Sequence, residues 1–125
     1  MPGAVAKSKV EAHKQAVTMD VAGSARYLQE MYGQKLVAHM AGIDDPKRVG
    51  KWAQREQAPR SGAEQRLRAA YQITHLLLAH DSDHVVRAWF IGMNPQLDDE
   101  APADAIRAGQ LKEALAAAKA FVSGG

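Results

Sequence analysis

Lys47, Arg48, Lys51, Gln54 and Arg55 follow one another at steps of one, three, three and one, a spacing that gathers side chains on one face of a helix. Cations and an amide on such a face donate to phosphate oxygens and to base edges. A guanidinium, in particular, can bond both acceptors of guanine at once. Arg48 is therefore the candidate base reader, with Lys47 and Lys51 beside it and Gln54 and Arg55 further along. Gln34 and Lys35 stand where a preceding helix would begin, and the free amides of a helix start suit a phosphate. Arg60, Arg66 and Arg68 are further candidates for contacts to a nucleic-acid backbone.

Little else in the chain reads as chemistry. His80 and His84 are four apart, a spacing at which two imidazoles on one helix can share a metal. Asp81-Ser82 predicts a helix break between them, and no third ligand accompanies them. His39 and His75 fall within helical stretches as packed or solvated groups. There is no nucleophile elbow and no glycine-rich phosphate loop. With no cysteine in 125 residues, thiolate ligation, thiol catalysis and a disulfide framework are excluded. The expectation is a protein that is not an enzyme, with no catalytic residue, no metal and no cofactor.

The basic face needs elements to hold it. Leu28, Met31 and Tyr32 predict a helix over 24–32, stopped by Gly33 where a left-handed residue is needed. Leu36, Val37 and Met40 predict a second over 34–41, stopped by Gly42. Asp45 as N-cap and Pro46 at the first helical position open a third. It runs to about Glu56, and Pro59 bars its return. Ala38 at the crossing, Gly42 in the turn, and Ile43, Val49 and Trp52 facing inward make up a helix-turn-helix. The second helix of that motif enters the major groove. The step from Gly42 to Val49 is one residue longer than usual. It carries Asp44 and Asp45, two acids that oppose phosphate.

Further on, Ser61 and Glu64 spell a capping box that opens a helix to about His80. Leu67, Ala70, Tyr71, Thr74, Leu77 and Leu78 form its apolar face. Asp81-Ser82-Asp83 caps a helix that ends near Ile91, and Gly92 and Asn94-Pro95 break the chain. Leu97 pins that turn into the core. A short helix covers 102–108 and ends at Gly109, and the last covers 110–122. Its apolar stripe reads Leu111, Leu115, Ala118 and Val122. No segment alternates as a strand does. The sequence predicts an all-α fold of about seven helices: a flexible arm over 1–20, a helix-turn-helix domain over 21–80 and a small helical lobe over 81–125.

Charge divides along the same line. Residues 1–80 carry 12 Lys/Arg and 7 Asp/Glu, a balance of +5, whereas residues 81–125 carry 4 and 7, a balance of −3. A basic front suits a nucleic acid and an acidic rear repels it, so two surfaces with different partners are expected. No apolar run is long enough to span a membrane, and the first residues lack a signal-peptide core. Together with the absence of cysteine, this points to the cytoplasm.

The rear segment runs Trp89-Phe90, Asn94-Pro95, Leu97, Pro102, Ile106, Gly109. That order resembles the toxin-binding domain of the Xre–MbcA–ParS antitoxins, and its place behind an Xre-like helix-turn-helix matches the layout of that family. The resemblance covers about residues 22–122. The turn Leu97-Asp98-Asp99-Glu100 lacks the glycine often found there. The resemblance implies an antitoxin that binds a RES-domain toxin, an NAD-consuming enzyme, through its C-terminal region and represses its own operon. It puts residues 93–125 at or near the entrance of the toxin's active site, with Asn94, Pro95, Leu97, Arg107 and Phe121 as the partner-binding residues. Two other readings of the residues stay open: a stand-alone transcriptional regulator whose rear lobe dimerises or meets another protein, and an interaction module whose basic helix never meets DNA. Either regulator would read duplex DNA as a homodimer or higher oligomer, because one reader helix gives limited affinity.

Overall fold

The first helix begins on a carboxylate. Asp20 Oδ1 accepts the Gly23 amide at 2.9 Å, so α1 spans Val21–Tyr32 and starts three residues before its apolar pattern suggests. The computed structural model describes residues 20–124. The expected arm over 1–20 lies, apart from Asp20, outside the described residues. After α1 come α2 (Gln34–Ala41), α3 (Lys47–Ala53), α4 (Ser61–Leu78) and α5 (Asp83–Ile91). A 3-10 turn at Pro95–Leu97, α6 (Pro102–Arg107) and α7 (Leu111–Val122) complete the order. No strand occurs among the described residues, and the fold is all-α. None of these helices is long and apolar enough to cross a membrane.

Local chemistry sets most boundaries. Gly42 closes α2 in the left-handed region, with φ +83° and ψ 25°, which costs an L side chain about 1 kcal/mol. From there the Ile43 amide reaches back to the Ala38 carbonyl at 3.0 Å. Ser82 Oγ accepts the Val85 amide at 3.3 Å and opens α5. Asn94 Oδ1 accepts the Gln96 amide at 2.9 Å and opens the 3-10 turn.

Three expectations are corrected. The third helix does not run to Glu56; it stops at Ala53, and Arg55 adopts a left-handed φ of +65°. The Ser61–Glu64 capping box does not form. Arg60, extended, precedes the helix without a side-chain cap, and the Glu64 carboxylate instead bonds Arg68 Nε at 3.0 Å, one turn on. The stripe of α7 is rotated. Ala114, Ala117 and Ala118 are buried, while Leu111, Leu115 and Val122 are only partly covered. Alanines on the buried face let α7 come close against α4 and α6.

One hydrophobic core runs from Ala25 to Ala118 through both halves of the chain, with Trp52, Tyr71, Phe90 and Leu28 among its fully buried members. The end of α1 is tied to α4 and to the rear in three ways. The Tyr32 ring meets Phe90 edge-on at 5.2 Å between centroids. The Thr74 hydroxyl donates to the Ala70 carbonyl at 2.7 Å; its one proton is thereby spent, so Tyr32 is the donor in its 2.7 Å contact with Thr74 Oγ1. Arg87 donates to the Met31 carbonyl at 2.8 Å.

Candidate nucleic-acid interface

The face of α3 is set by what its other side buries. Val49, Trp52 and Ala53 are sealed in the core. Lys47 and Lys51, one turn apart, are thereby turned to solvent. Arg48 is half-buried, its guanidinium 6.0 Å from the centre of the Trp52 ring. The end of the basic run does not extend this face. Gln54 is exposed but lies past the last helical residue. Arg55 is turned back by its left-handed backbone, and its NH1 sits 2.6 Å from Asp20 Oδ2. That guanidinium, with the Gly23 amide, holds the Asp20 carboxyl below its usual range.

Gln34 and Lys35 are exposed at the start of α2, which no side chain caps. The Gln34 amide donates to Gln29 Oε1 at 3.0 Å. It also lies only 2.7 Å from where a Cβ at Gly50 would stand. The absence of a side chain at Gly50 thus lets the start of α2 touch the middle of α3. The acids of the long turn are both answered within the chain. Asp45 Oδ1 accepts the Lys47 amide at 3.0 Å, and Asp44 Oδ1 accepts Arg107 NH2 at 3.2 Å.

Arg107, expected at a partner surface, is engaged inside the molecule. Its NH1 donates to the His39 carbonyl at 2.9 Å and to that of Ile43 at 3.4 Å, the end of α2 and the turn after it. A second arginine continues the chain of contacts. Arg66 Nε donates to the carbonyls of Ile106 and Arg107 at 3.2 and 3.0 Å, and its NH1 to that of Gly62 at 3.0 Å. Its side chain runs beside Gly42, Gly62 and Gly109, where a Cβ would come within 3.5, 3.0 and 3.3 Å of it. His39 Nε2 donates to Asp104 Oδ1 at 2.6 Å. So α4 holds the end of α6, and α6 holds the end of α2. Arg66 and Arg107, expected to face outward, carry no local signal of these inward contacts beyond an arginine near a helix end.

The rear candidates divide. Asn94 and Leu97 are buried and shape the 3-10 turn, and Pro95 is exposed. Phe121 is 41% exposed, with its ring 6.4 Å from that of Trp89. Ile91 and Met93, which the sequence reading did not single out, are 60% and 78% exposed. The turn without glycine is made by aspartates: Asp98 and Asp99 take φ values of +54° and +68°.

Among the described residues no group of three or more His, Asp or Glu is placed to hold a metal ion. His80 lies in the turn between α4 and α5, and His84 in the first turn of α5. His75 is packed between the rings of Tyr27 and Tyr71, at 4.9 and 4.4 Å. Its Nε2 is buried without a partner, and burial pushes its pKa below the ordinary value.

No protein-family model, curated protein or solved structure matches the chain. The antitoxin resemblance rests on the residues of the chain alone.

Proposed function

We propose that the protein binds duplex DNA through α3 and regulates transcription. The observation that carries this reading is the exposure of Lys47 and Lys51 on a short helix whose opposite side is anchored by Val49 and Trp52. An exposed basic helix fixed by its neighbour is what docking into a major groove requires. Lys35, exposed at the start of α2, adds a phosphate contact. Arg48, laid against Trp52, acts at the edge of the footprint rather than at its centre. Two readers on half-sites a helical turn apart supply the affinity that one lacks, so the binding unit is a homodimer or higher oligomer.

The rear supports a protein partner. Ile91, Met93 and Phe121 leave apolar surface uncovered, and the Phe121 ring, 6.4 Å from that of Trp89, offers an aromatic anchor to a docking partner. On the antitoxin resemblance that partner is a RES-domain toxin, and the protein is a cytoplasmic repressor of its own operon. In the second reading the same surface meets a second copy, and no toxin is involved.

Duplex binding measured across a salt series tests the first part. The logarithm of affinity should fall with the logarithm of salt at a slope of about 0.9 per phosphate neutralised. Affinity that ignores salt would sink the DNA reading. For the second part, co-expression with a RES-domain enzyme should yield a complex that Phe121→Ser disrupts. If the enzyme stays free while the chain elutes as an oligomer that Phe121→Ser dissociates, the second reading holds.

A further inference from the structure

Beside the exposed face of α3, a cleft of about 480 Å³ opens between the α2–α3 turn and the first turn of α4. Arg48, Arg60 and Arg66 line it, and no carboxylate does. None of these arginines forms an ion pair with an acid among the described residues. Three like charges around one depression repel one another, an arrangement that an anion relieves. Arg66 is fixed by the carbonyls of Gly62, Ile106 and Arg107, so its charge cannot swing away. Arg48 is steadied by the Trp52 ring.

The wall supplies neutral donors as well. The first turn of α4 contributes Gly62, and no side chain caps that 18-residue helix. Its leading amides therefore lack partners and carry the positive end of the helix dipole. Trp52, 1% exposed, is part of the same wall. Its indole N–H is buried and has no acceptor. Guanidinium side chains and the start of an uncapped helix lining one volume suit a tetrahedral oxyanion.

We infer that this cleft binds a phosphate group. A phosphate of the DNA backbone flanking the α3 contact and the phosphate of a free ester share the chemistry that the cleft recognises. The first source rests on the DNA reading above; the affinity of the cleft for phosphate does not.

Two probes and two variants of the full chain separate these cases. The probes are inorganic phosphate, followed by calorimetric titration, and a mixed-sequence DNA duplex, followed by fluorescence anisotropy across a salt series. The variants are Arg60→Gln in the exposed rim of the cleft and Lys51→Ala on α3, outside it. Far-UV circular dichroism checks that both keep their helices. The expected result is saturable phosphate binding that Arg60→Gln weakens about tenfold and Lys51→Ala leaves alone. With duplex, Arg60→Gln should lower the salt slope by about 0.9. Phosphate binding that depends on Arg60, in a chain that binds no duplex, upholds the cleft, assigns it to free phosphate esters and removes the DNA reading. Duplex binding that depends on Lys51 but not on Arg60, with no uptake of phosphate, overturns the cleft and leaves the DNA reading standing.

Discussion

The front of the molecule seals in the aromatic of α3 and exposes its lysines; the rear engages Arg107 internally and leaves the Phe121 ring half-exposed beside the buried Trp89. On α3, Trp52 is sealed in and Lys47 and Lys51 face solvent. On the rear, Arg107 is spent on carbonyls of the α2 end, while Ile91, Met93 and Phe121 are exposed. The two surfaces therefore differ in what they offer a partner, one charge and the other apolar contact. Residue type alone does not assign a surface role: Arg107 and Arg55 are as cationic as Lys51, yet intramolecular contacts occupy them.

The contrast can be broken first at its aromatics. Trp52→Ala should cost about 3–5 kcal/mol, because a buried indole leaves a cavity. Phe121→Ala, at a half-exposed ring, should cost less than about 1 kcal/mol. Urea unfolding of both variants checks this, and equal losses would mean that the two aromatics are not opposed in kind. Arg107→Ala comes next. It leaves the His39 and Ile43 carbonyls without their donor, a loss of about 1–3 kcal/mol. Arg55→Ala, which breaks a solvent-exposed pair, should cost no more than about 1 kcal/mol. If the two cost the same, Arg107 is a surface charge after all.

A smaller effect concerns pH. The pKa of His75 is lowered by burial from 6.5, so the unfolded chain takes up the proton first as pH falls. The contribution of His75 to stability is therefore complete above about 6.5 and declines below it until the pH passes the lower folded value. Replacing His75 with Gln should flatten melting temperature against pH in that window, and an unchanged slope would mean that other groups set it. The smallest stability change belongs to Lys47→Ala with Lys51→Ala. Removing both should shift stability by less than about 0.5 kcal/mol while lowering the salt slope of duplex binding by about 1 for each lysine. A large loss of stability would show that the exposed lysines are structural and would erase the contrast between the surfaces.

Much of the fold was legible because its signals are local. Gly42, Ser82 and Asn94-Pro95 mark boundaries by their own chemistry, and each does so in the structure; α3 instead starts at Lys47, with Pro46 rather than Asp45 in the position before it and no side-chain cap. The errors arise where a distant residue decides. Nothing near Arg55 says that Asp20 will hold it, and that pairing accompanies the early end of α3. The Ser61–Glu64 pattern is a sound box on paper, but Arg60 takes the position before the helix and Arg68 takes the carboxylate. On α7 the larger side chains suggested the buried stripe. Close packing favoured the small ones, Ala114, Ala117 and Ala118. For the candidate interface, the spacing of Lys47 and Lys51 was enough to place both on the exposed face of α3. The cleft beside them was not readable, since Arg48, Arg60 and Arg66 come together only when α3 and α4 fold against the turn.

The run of contacts from Arg66 to the end of α6, and from Arg107 to the end of α2, also limits how such a chain can be recombined. A front half grafted onto another rear would keep its seven-residue α3. It would leave Arg66 without the Ile106 and Arg107 carbonyls and the turn without its arginine. A workable exchange must bring a helix that ends in front of Arg66 and carries an arginine at its last turn. Residues 21–80 are thus not a separable unit, and single side chains on the exposed face of α3 can be changed with less disturbance than whole lobes can be exchanged.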